Sequence, residues 1–365
     1  MKRVFYLLLM AALVGACTSE PRYVIKGDIE GSDNELFYLQ RIVDGQIVPI
    51  DSAVSQKGSF KMTGTINYPD LVQLLAADKG ARINFYLENA EITISGKIDS
   101  LDAAKISGSK TQDEYQSLIG ASSAFNEQAM NIDREYQTAR QTNNTEKMSQ
   151  LEKEISGLEE KMIAVQKDFV KNNPSSYVAP AVLRSISYYM EGDEIANIIS
   201  AMDTSVAKTP IVRELSDMAT AMKAVAIGQR APDFTMNDVN GNPISLSSKI
   251  GSKLLLVDFW AGWCNPCRQE NPNLVKIYNQ FHKKGFDIFG VSLDQQKESW
   301  IKAIADDKLT WTHVSDLQYR NNAAARLYSV RAIPANFLLD ASGTIIARNL
   351  RGDALLNKVS EVLGQ

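Results

Sequence analysis

Three cysteines occur in the 365-residue chain, and two of them, Cys264 and Cys267, stand three residues apart in the run Trp263-Cys264-Asn265-Pro266-Cys267. Two thiols spaced i and i+3 at a helix start can close a disulfide with little backbone movement. The first thiol, Cys264, is expected at the surface near the positive end of the helix dipole, where thiolate is favoured over thiol. Thiolate is the attacking species in thiol–disulfide exchange. The same spacing is also half of a zinc knuckle, but zinc needs a second ligand pair. The remaining cysteine is Cys17, far along the chain, and the two histidines, His282 and His313, have no ligand spacing to the pair. The pair is therefore read as a redox dithiol, with no metal and no cofactor.

The elements around the pair are legible in the same stretch. Leu254 to Val257 is an apolar run that reads as a buried central strand. It ends at Asp258-Phe259-Trp260, and a short turn then delivers the cysteines to a helix. Trp260 reads as core and Trp263 as a shield on one side of the disulfide.

The segment VDFW followed by WCNPC, with Pro272 five residues past Cys267, resembles the thioredoxin active site. The later stretch AIPANFLLD, Ala332 to Asp340, resembles the matching segment of the membrane-anchored TlpA/ResA-type thiol–disulfide oxidoreductases. The resemblance runs from about Ile227 to Gln365. It implies that Cys264 is the nucleophile and Cys267 the resolving thiol. It also implies that Asp258 is a buried acid with a raised pKa, able to take the proton from Cys267. Glu270 falls where the TlpA/ResA-type proteins carry an acid beside the dithiol, while that subgroup usually has an amide at the position of Asp258. Having both acids leaves open which serves as base; each could instead pair with Arg268 or solvent. The bond Ile333–Pro334 is implied to be cis, opposite the dithiol, with Ile333 offering backbone groups to an extended substrate. Ala335 replaces a common Thr, and Gly290 stands where thioredoxin carries a lysine.

The chain opens with Met1-Lys2-Arg3, an apolar stretch from Val4 to Val14, and Gly15-Ala16-Cys17. That is a signal-peptide pattern, too short for a permanent span. Val14 to Cys17 resembles a bacterial lipobox, which makes Cys17 the lipidated first residue of a membrane-anchored protein. The alternative is an ordinary signal peptide with an incidental cysteine. Lipidation would leave Cys264 and Cys267 as the single pair, free for exchange. With a net charge of −4 and no basic run in the mature part, nucleic acid is excluded as a partner.

Four segments follow from the patterning: 1–17 as a lipoprotein signal peptide, 22–110 as a β-sandwich, 111–226 as a helical region, and 227–365 as the α/β thioredoxin-like domain. The first 90 or so residues of the mature part alternate and turn as an antiparallel sheet, with turns at Asp44-Gly45, Lys57-Gly58, Lys79-Gly80 and Asn89-Ala90. Tyr38, Tyr68, Phe85 and Tyr86 are candidates for a binding face or for core. The layout resembles a β-rich domain of unknown function that precedes thioredoxin modules in envelope lipoproteins. In the helical region Leu118 to Tyr136 and Met148 to Phe169 repeat at three- and four-residue steps, broken at Gln141 to Thr145, as an antiparallel hairpin. Two readings stay open there: a spacer or dimerisation arm giving a homo-oligomer, and structural packing. In the last domain, strands alternating with helices and closing on a hairpin give a mixed sheet covered on both faces.

The function expected is thiol–disulfide exchange at the cell envelope, facing the periplasm or at the outer membrane. Disulfide-bearing proteins would be substrates and a membrane electron donor would re-reduce the dithiol. Reduction is the direction the resemblance implies, in cytochrome c maturation or in antioxidant repair of misoxidised proteins. A thioredoxin-fold peroxidase and a non-enzymatic envelope binding protein are the alternatives.

Overall fold

Alternation of apolar and polar residues builds the first eight strands of the computed structural model, which describes residues 21–43 and 46–364. They are β1 (Tyr23–Glu30), β2 (Leu36–Val43), β3 (Gln46–Val54), β4 (Ser59–Gly64), β5 (Asp70–Ala76), β6 (Arg82–Leu87), β7 (Glu91–Lys97) and β8 (Lys105–Ser107). The proposed lipid attachment at Cys17 and the turn at Asp44-Gly45 lie outside the described residues.

These strands make two four-stranded sheets, ordered β4-β1-β7-β8 and β3-β2-β5-β6, that share one core of Ile25, Phe37, Leu39, Leu74, Phe85, Ile92 and Ile94. Phe37 and Phe60 stack at 4.5 Å between ring centroids. Phe60 lies so close over β1 that a Cβ on Gly27 would come within 2.0 Å of its ring, so only glycine fits there. Phe85 and Tyr86 are buried, whereas Tyr38 is exposed. One expectation needs correcting: the sheets are not wholly antiparallel, because β1 pairs with β7 in parallel. That pairing joins strands more than sixty residues apart, and local alternation carries no information about such a partner.

Helix periodicity takes over at Lys110. Ser109 caps α1 (Lys110–Gln141), its side chain accepting from the Gln112 N–H at 3.1 Å. Gln112 in turn accepts the Tyr86 N–H at 2.8 Å, tying the helix to the sandwich. Asn143, at φ +52°, turns the chain into α2 (Thr145–Asn172). Lys147 and Glu135 at 3.1 Å, and Tyr136 Oη donating to Glu152 at 3.0 Å, join the two helices as a hairpin. Shorter helices follow: α3 (Ala179–Ile186), α4 (Gly192–Ala201), α5 (Thr204–Ala207) and α6 (Pro210–Ala224), which starts on a proline suited to a first turn.

The last domain alternates strands and helices: β9 (Thr235–Asp238), β10 (Pro243–Ser245), β11 (Leu254–Trp260), α7 (Asn265–Phe281), β12 (Phe286–Ser292), α8 (Lys297–Asp306), β13 (Thr312–Ser315), α9 (Ala323–Leu327), β14 (Ala335–Asp340), β15 (Ile345–Arg348) and α10 (Gly352–Leu363). Its sheet runs β10-β9-β13-β12-β11-β14-β15, with β11 parallel to β12 and antiparallel to β14. Every residue of β11 is buried, as a continuous apolar strand in the middle of a covered sheet should be. The architecture is thus an all-β N-terminal region, a helical middle and a thioredoxin-like α/β domain.

By compactness the described residues form two units. One ends at Glu159 and takes in Ser176–Val178, and the other holds the remainder. The second unit includes α3 to α6, and Val225 just after α6 belongs to the hydrophobic core of the α/β domain.

Candidate active site

The carboxyl end of a central strand is where open α/β sheets place their chemistry, and β11 ends there at Trp260. The turn that follows is held from two directions. Gly262 N–H donates to Asp294 at 2.9 Å, and Asp294, buried just past the end of β12, also accepts the Ser292 hydroxyl at 2.8 Å. From the other side Arg268 Nη1 donates to the Gly262 carbonyl at 3.2 Å. The Arg268 guanidinium is fixed by Asp307, Nη2 to Oδ1 at 2.7 Å with Nε bonded to Oδ2, and Asn271 donates to the same carboxylate at 2.6 Å.

This frame delivers Cys264 to the N-cap of α7, where its sulfur accepts the Cys267 N–H at 3.2 Å. Cys264 and Cys267 are joined in a disulfide with Cα atoms 5.3 Å apart. The first cysteine was expected at the surface; it is only 4 % exposed, against 1 % for Cys267. Both sulfurs belong to the apolar core at the base of the turn, while Asn265 and Pro266 between them are exposed. Trp263 is exposed too, its ring 5.2 Å from that of Tyr319.

The two acids differ in their surroundings. Asp258, 4 % exposed in β11, has its pKa pushed up to about 7, chiefly by burial. The negative charge of Glu270 adds to the rise and the positive charge of Arg351 opposes it. Glu270 is half-buried, and its Oε1 accepts the Asn273 amide at 2.8 Å and the Gly352 N–H at 2.9 Å, at the first residue of α10. Arg268, the alternative partner for either acid, is committed to Asp307 and Asp306.

The Ile333–Pro334 bond is cis. Arg351 reaches across to donate to the Pro334 carbonyl at 2.6 Å. Among the described residues the Ile333 N–H and C=O have no hydrogen-bond partner, so both are available to another strand. One short loop, Arg351-Gly352, therefore holds Glu270, the cis-proline carbonyl and the field at Asp258 together.

Sequence reasoning passed over Arg351, Asp294 and the Arg268–Asp307 pair. Asp294 had a readable signal, an acid just past a strand's carboxyl end. Arg351 had none, since a cation just before a helix runs against the usual charge preference. Gly290, noted for its missing lysine, faces a different need: a Cβ there would sit 2.3 Å from His313 Nδ1. His313 is buried against Trp260 and Trp311, and burial drives its pKa down to about 3, so it is neutral.

Comparison with known proteins finds relatives of both ends of the chain. The AhpC/TSA family model matches residues 227–348, and the model of a domain of unknown function, DUF4369, matches residues 23–115. The thiol-disulfide oxidoreductase ResA of Geobacillus kaustophilus (strain HTA426) is 34% identical over 126 residues, covering 34% of this chain and 70% of that protein. The thioredoxin-like protein YneN of Bacillus subtilis (strain 168) is 35% identical over 121 residues, covering 32% of this chain and 68% of that protein. Among solved structures, the thioredoxin domain of a thiol-disulfide oxidoreductase from Bacteroides vulgatus is 42% identical, covering 38% of this chain and 99% of that one with a TM-score of 0.36. Through its C-terminal domain the chain belongs to the ResA-type thiol–disulfide oxidoreductases.

Proposed function

We propose that this chain reduces disulfides of envelope proteins through Cys264 and Cys267, anchored to a membrane by a lipid on Cys17. The observation that carries the reading is the Cys264–Cys267 disulfide set at the N-terminus of α7. In the reduced enzyme, the Cys264 thiolate attacks one sulfur of the substrate disulfide. A mixed disulfide forms and the first substrate thiolate leaves. Cys267 then gives its proton to the Asp258 carboxylate and attacks the Cys264 sulfur. The intramolecular disulfide re-forms and the second substrate thiolate leaves. The substrate gains two electrons and the enzyme loses them.

Asp258 suits that proton transfer because a carboxyl with a pKa of about 7 is partly ionised near neutrality and returns a proton readily. An oxidising envelope keeps thiols from accumulating, so each cycle needs a membrane dithiol donor to restore Cys264 and Cys267. In this reading the substrate chain meets the free backbone groups of Ile333 before the cis Pro334 and the exposed indole of Trp263.

The test is the reduction potential of the pair in the full chain, equilibrated against defined thiol buffers. A value of roughly −250 mV or lower supports a reductant, on a scale where thioredoxin lies near −270 mV. A value above roughly −180 mV points to an oxidant or isomerase and overturns the direction. In parallel, Cys264→Ser should abolish exchange, and Cys267→Ser should accumulate the mixed disulfide with substrate on a non-reducing gel.

A further inference from the structure

The strand-pairing edge at Ile333 does not end in open solvent. Beside Pro334 lies a cavity of about 230 Å³, the size for one or two side chains, whereas a drug-sized ligand site is larger. The α/β domain supplies one side of it through Arg331, Pro334, Arg348 and Arg351. The other side comes from the helical segment, where the chain between α3 and α4 presents Tyr188 and Tyr189.

Two features of this cavity specify an occupant. The first is charge. Arg348 is neutralised by Glu191, its Nη2 lying 2.8 and 2.9 Å from the two carboxylate oxygens. Arg331 donates to the Ser187 hydroxyl and Arg351 to the Pro334 carbonyl, both neutral acceptors. Among the described residues neither has a carboxylate within ion-pair distance. The lining therefore carries three guanidinium groups against one carboxylate; Arg351 also acts on the Asp258 carboxylate behind it, which leaves Arg331 as the cation without a carboxylate in a concave place. The second is an aromatic shelf. Tyr188 and Tyr189 are 60 % and 53 % exposed and stand edge to face at 5.3 Å. They hold a large amphipathic area at the rim without covering it themselves.

We propose that Arg331 and the Tyr188–Tyr189 shelf make this cavity a specificity pocket for disulfide-bearing polypeptides that carry an acidic residue close to the target cysteine. The proposal rests on the oxidoreductase reading and names the substrate feature that the same site selects. The substrate lies extended against the unpartnered Ile333 backbone. A nearby carboxylate enters toward Arg331 and Arg351, and the neighbouring residue rests on the two tyrosines. The helical segment is then a working wall of the site.

The experiment uses the reduced full chain and two peptides, each with one cysteine blocked as a neutral 2-pyridyl disulfide. The peptides differ only in having Glu or Lys on both sides of that cysteine. Attack of the Cys264 thiolate on the peptide sulfur releases pyridine-2-thione, which is followed by absorbance. Each rate is divided by the rate with neutral bis(2-hydroxyethyl) disulfide measured alongside. The Glu peptide should react at least about fivefold faster than the Lys peptide at low salt, and the preference should shrink as salt is added. Arg331→Glu should bring the ratio to one or below, and Arg331→Lys should keep most of it. Tyr188→Ser with Tyr189→Ser should raise the half-saturating concentration of both peptides about threefold. Arg331 and both tyrosines are exposed, so these variants are expected to fold. Equal rates for the two peptides, or a preference untouched by Arg331→Glu, would overturn the proposal. Failure to react with the small neutral disulfide would instead overturn the oxidoreductase reading beneath it.

Discussion

Glu35 in the N-terminal sandwich and Asp258 in the α/β domain are both carboxylates with 5 % exposure or less, yet the two regions treat them oppositely. Glu35 stands just before β2, and its Oε1 accepts the N–H groups of Asp78 and Lys79 at 2.8 and 3.4 Å in the turn between β5 and β6. Its own N–H donates to the Ser55 hydroxyl at 3.1 Å. The charge is used to close a turn. Asp258 sits in β11, every residue of which is buried, with a second carboxylate raising its pKa further and only Arg351 opposing. A charge held by donors stabilises a fold, whereas one held away from them is kept ready to change protonation state.

The contrast is broken or upheld first at Asp258. Its pKa in the folded protein, about 7, lies above the ordinary 3.8, so folding takes up a proton between those values. Its contribution to stability is therefore most favourable below about pH 4, falls as pH rises toward 7, and is flat above that. Across that window the cost amounts to about 4 kcal/mol, at 1.36 kcal/mol per pH unit. Asp258→Asn removes the ionisation. Urea unfolding at pH 8 should show the variant more stable by up to about 4 kcal/mol, with the difference vanishing near pH 4. The same variant should slow resolution of the mixed disulfide by about 100-fold. Equal stabilities at pH 8 would mean that Asp258 is not held out of reach of its donors.

Glu35 should behave in the reverse sense. Glu35→Ala removes an acceptor from two turn N–H groups that can partly turn to water instead, so unfolding should cost about 1–2 kcal/mol less. The reduction potential of Cys264 and Cys267 should stay where it is, since Glu35 lies in the other compact unit. A destabilised variant with an altered potential would show that the two regions are not separate in function.

How much of this could be read beforehand depends on whether the cause was local in sequence. The run from Leu254 to Cys267 declares itself, because an apolar strand, a turn and a CxxC helix start are all short-range patterns. Seven strands of the sandwich and the hairpin of α1 and α2 were equally legible from alternation and heptad spacing, whereas β8, three residues long, is too short to show alternation. Nothing local announced that β1 would pair in parallel with β7, or that Arg351 would reach Pro334. Those depend on which elements meet, which only the closed fold decides. The burial of Cys264 was missed for a related reason: position at a helix start says where the dipole points but not how much core lies under the turn. His313 and Gly290 form one unit split over two strands, and the glycine reads as a loss until its partner is seen filling the space.

The finest division lies within the site itself, between Asp258 and Glu270. Glu270 accepts two hydrogen bonds, so it resembles Glu35 in its bonding while acting on Asp258 through its charge. Glu270→Gln keeps an oxygen for the Gly352 N–H and deletes the charge. The acidic inflection in the pH dependence of disulfide exchange, measured by stopped flow with a neutral disulfide, should then move to lower pH. The rate near pH 6 should rise by about threefold at most, because more of Asp258 would be ionised there. If the inflection disappears with Glu270→Gln and survives Asp258→Asn, the base is Glu270, and burial in β11 serves another purpose. If it shifts downward with the first and is lost with the second, Asp258 is the group that titrates and Glu270 is the charge that tunes it.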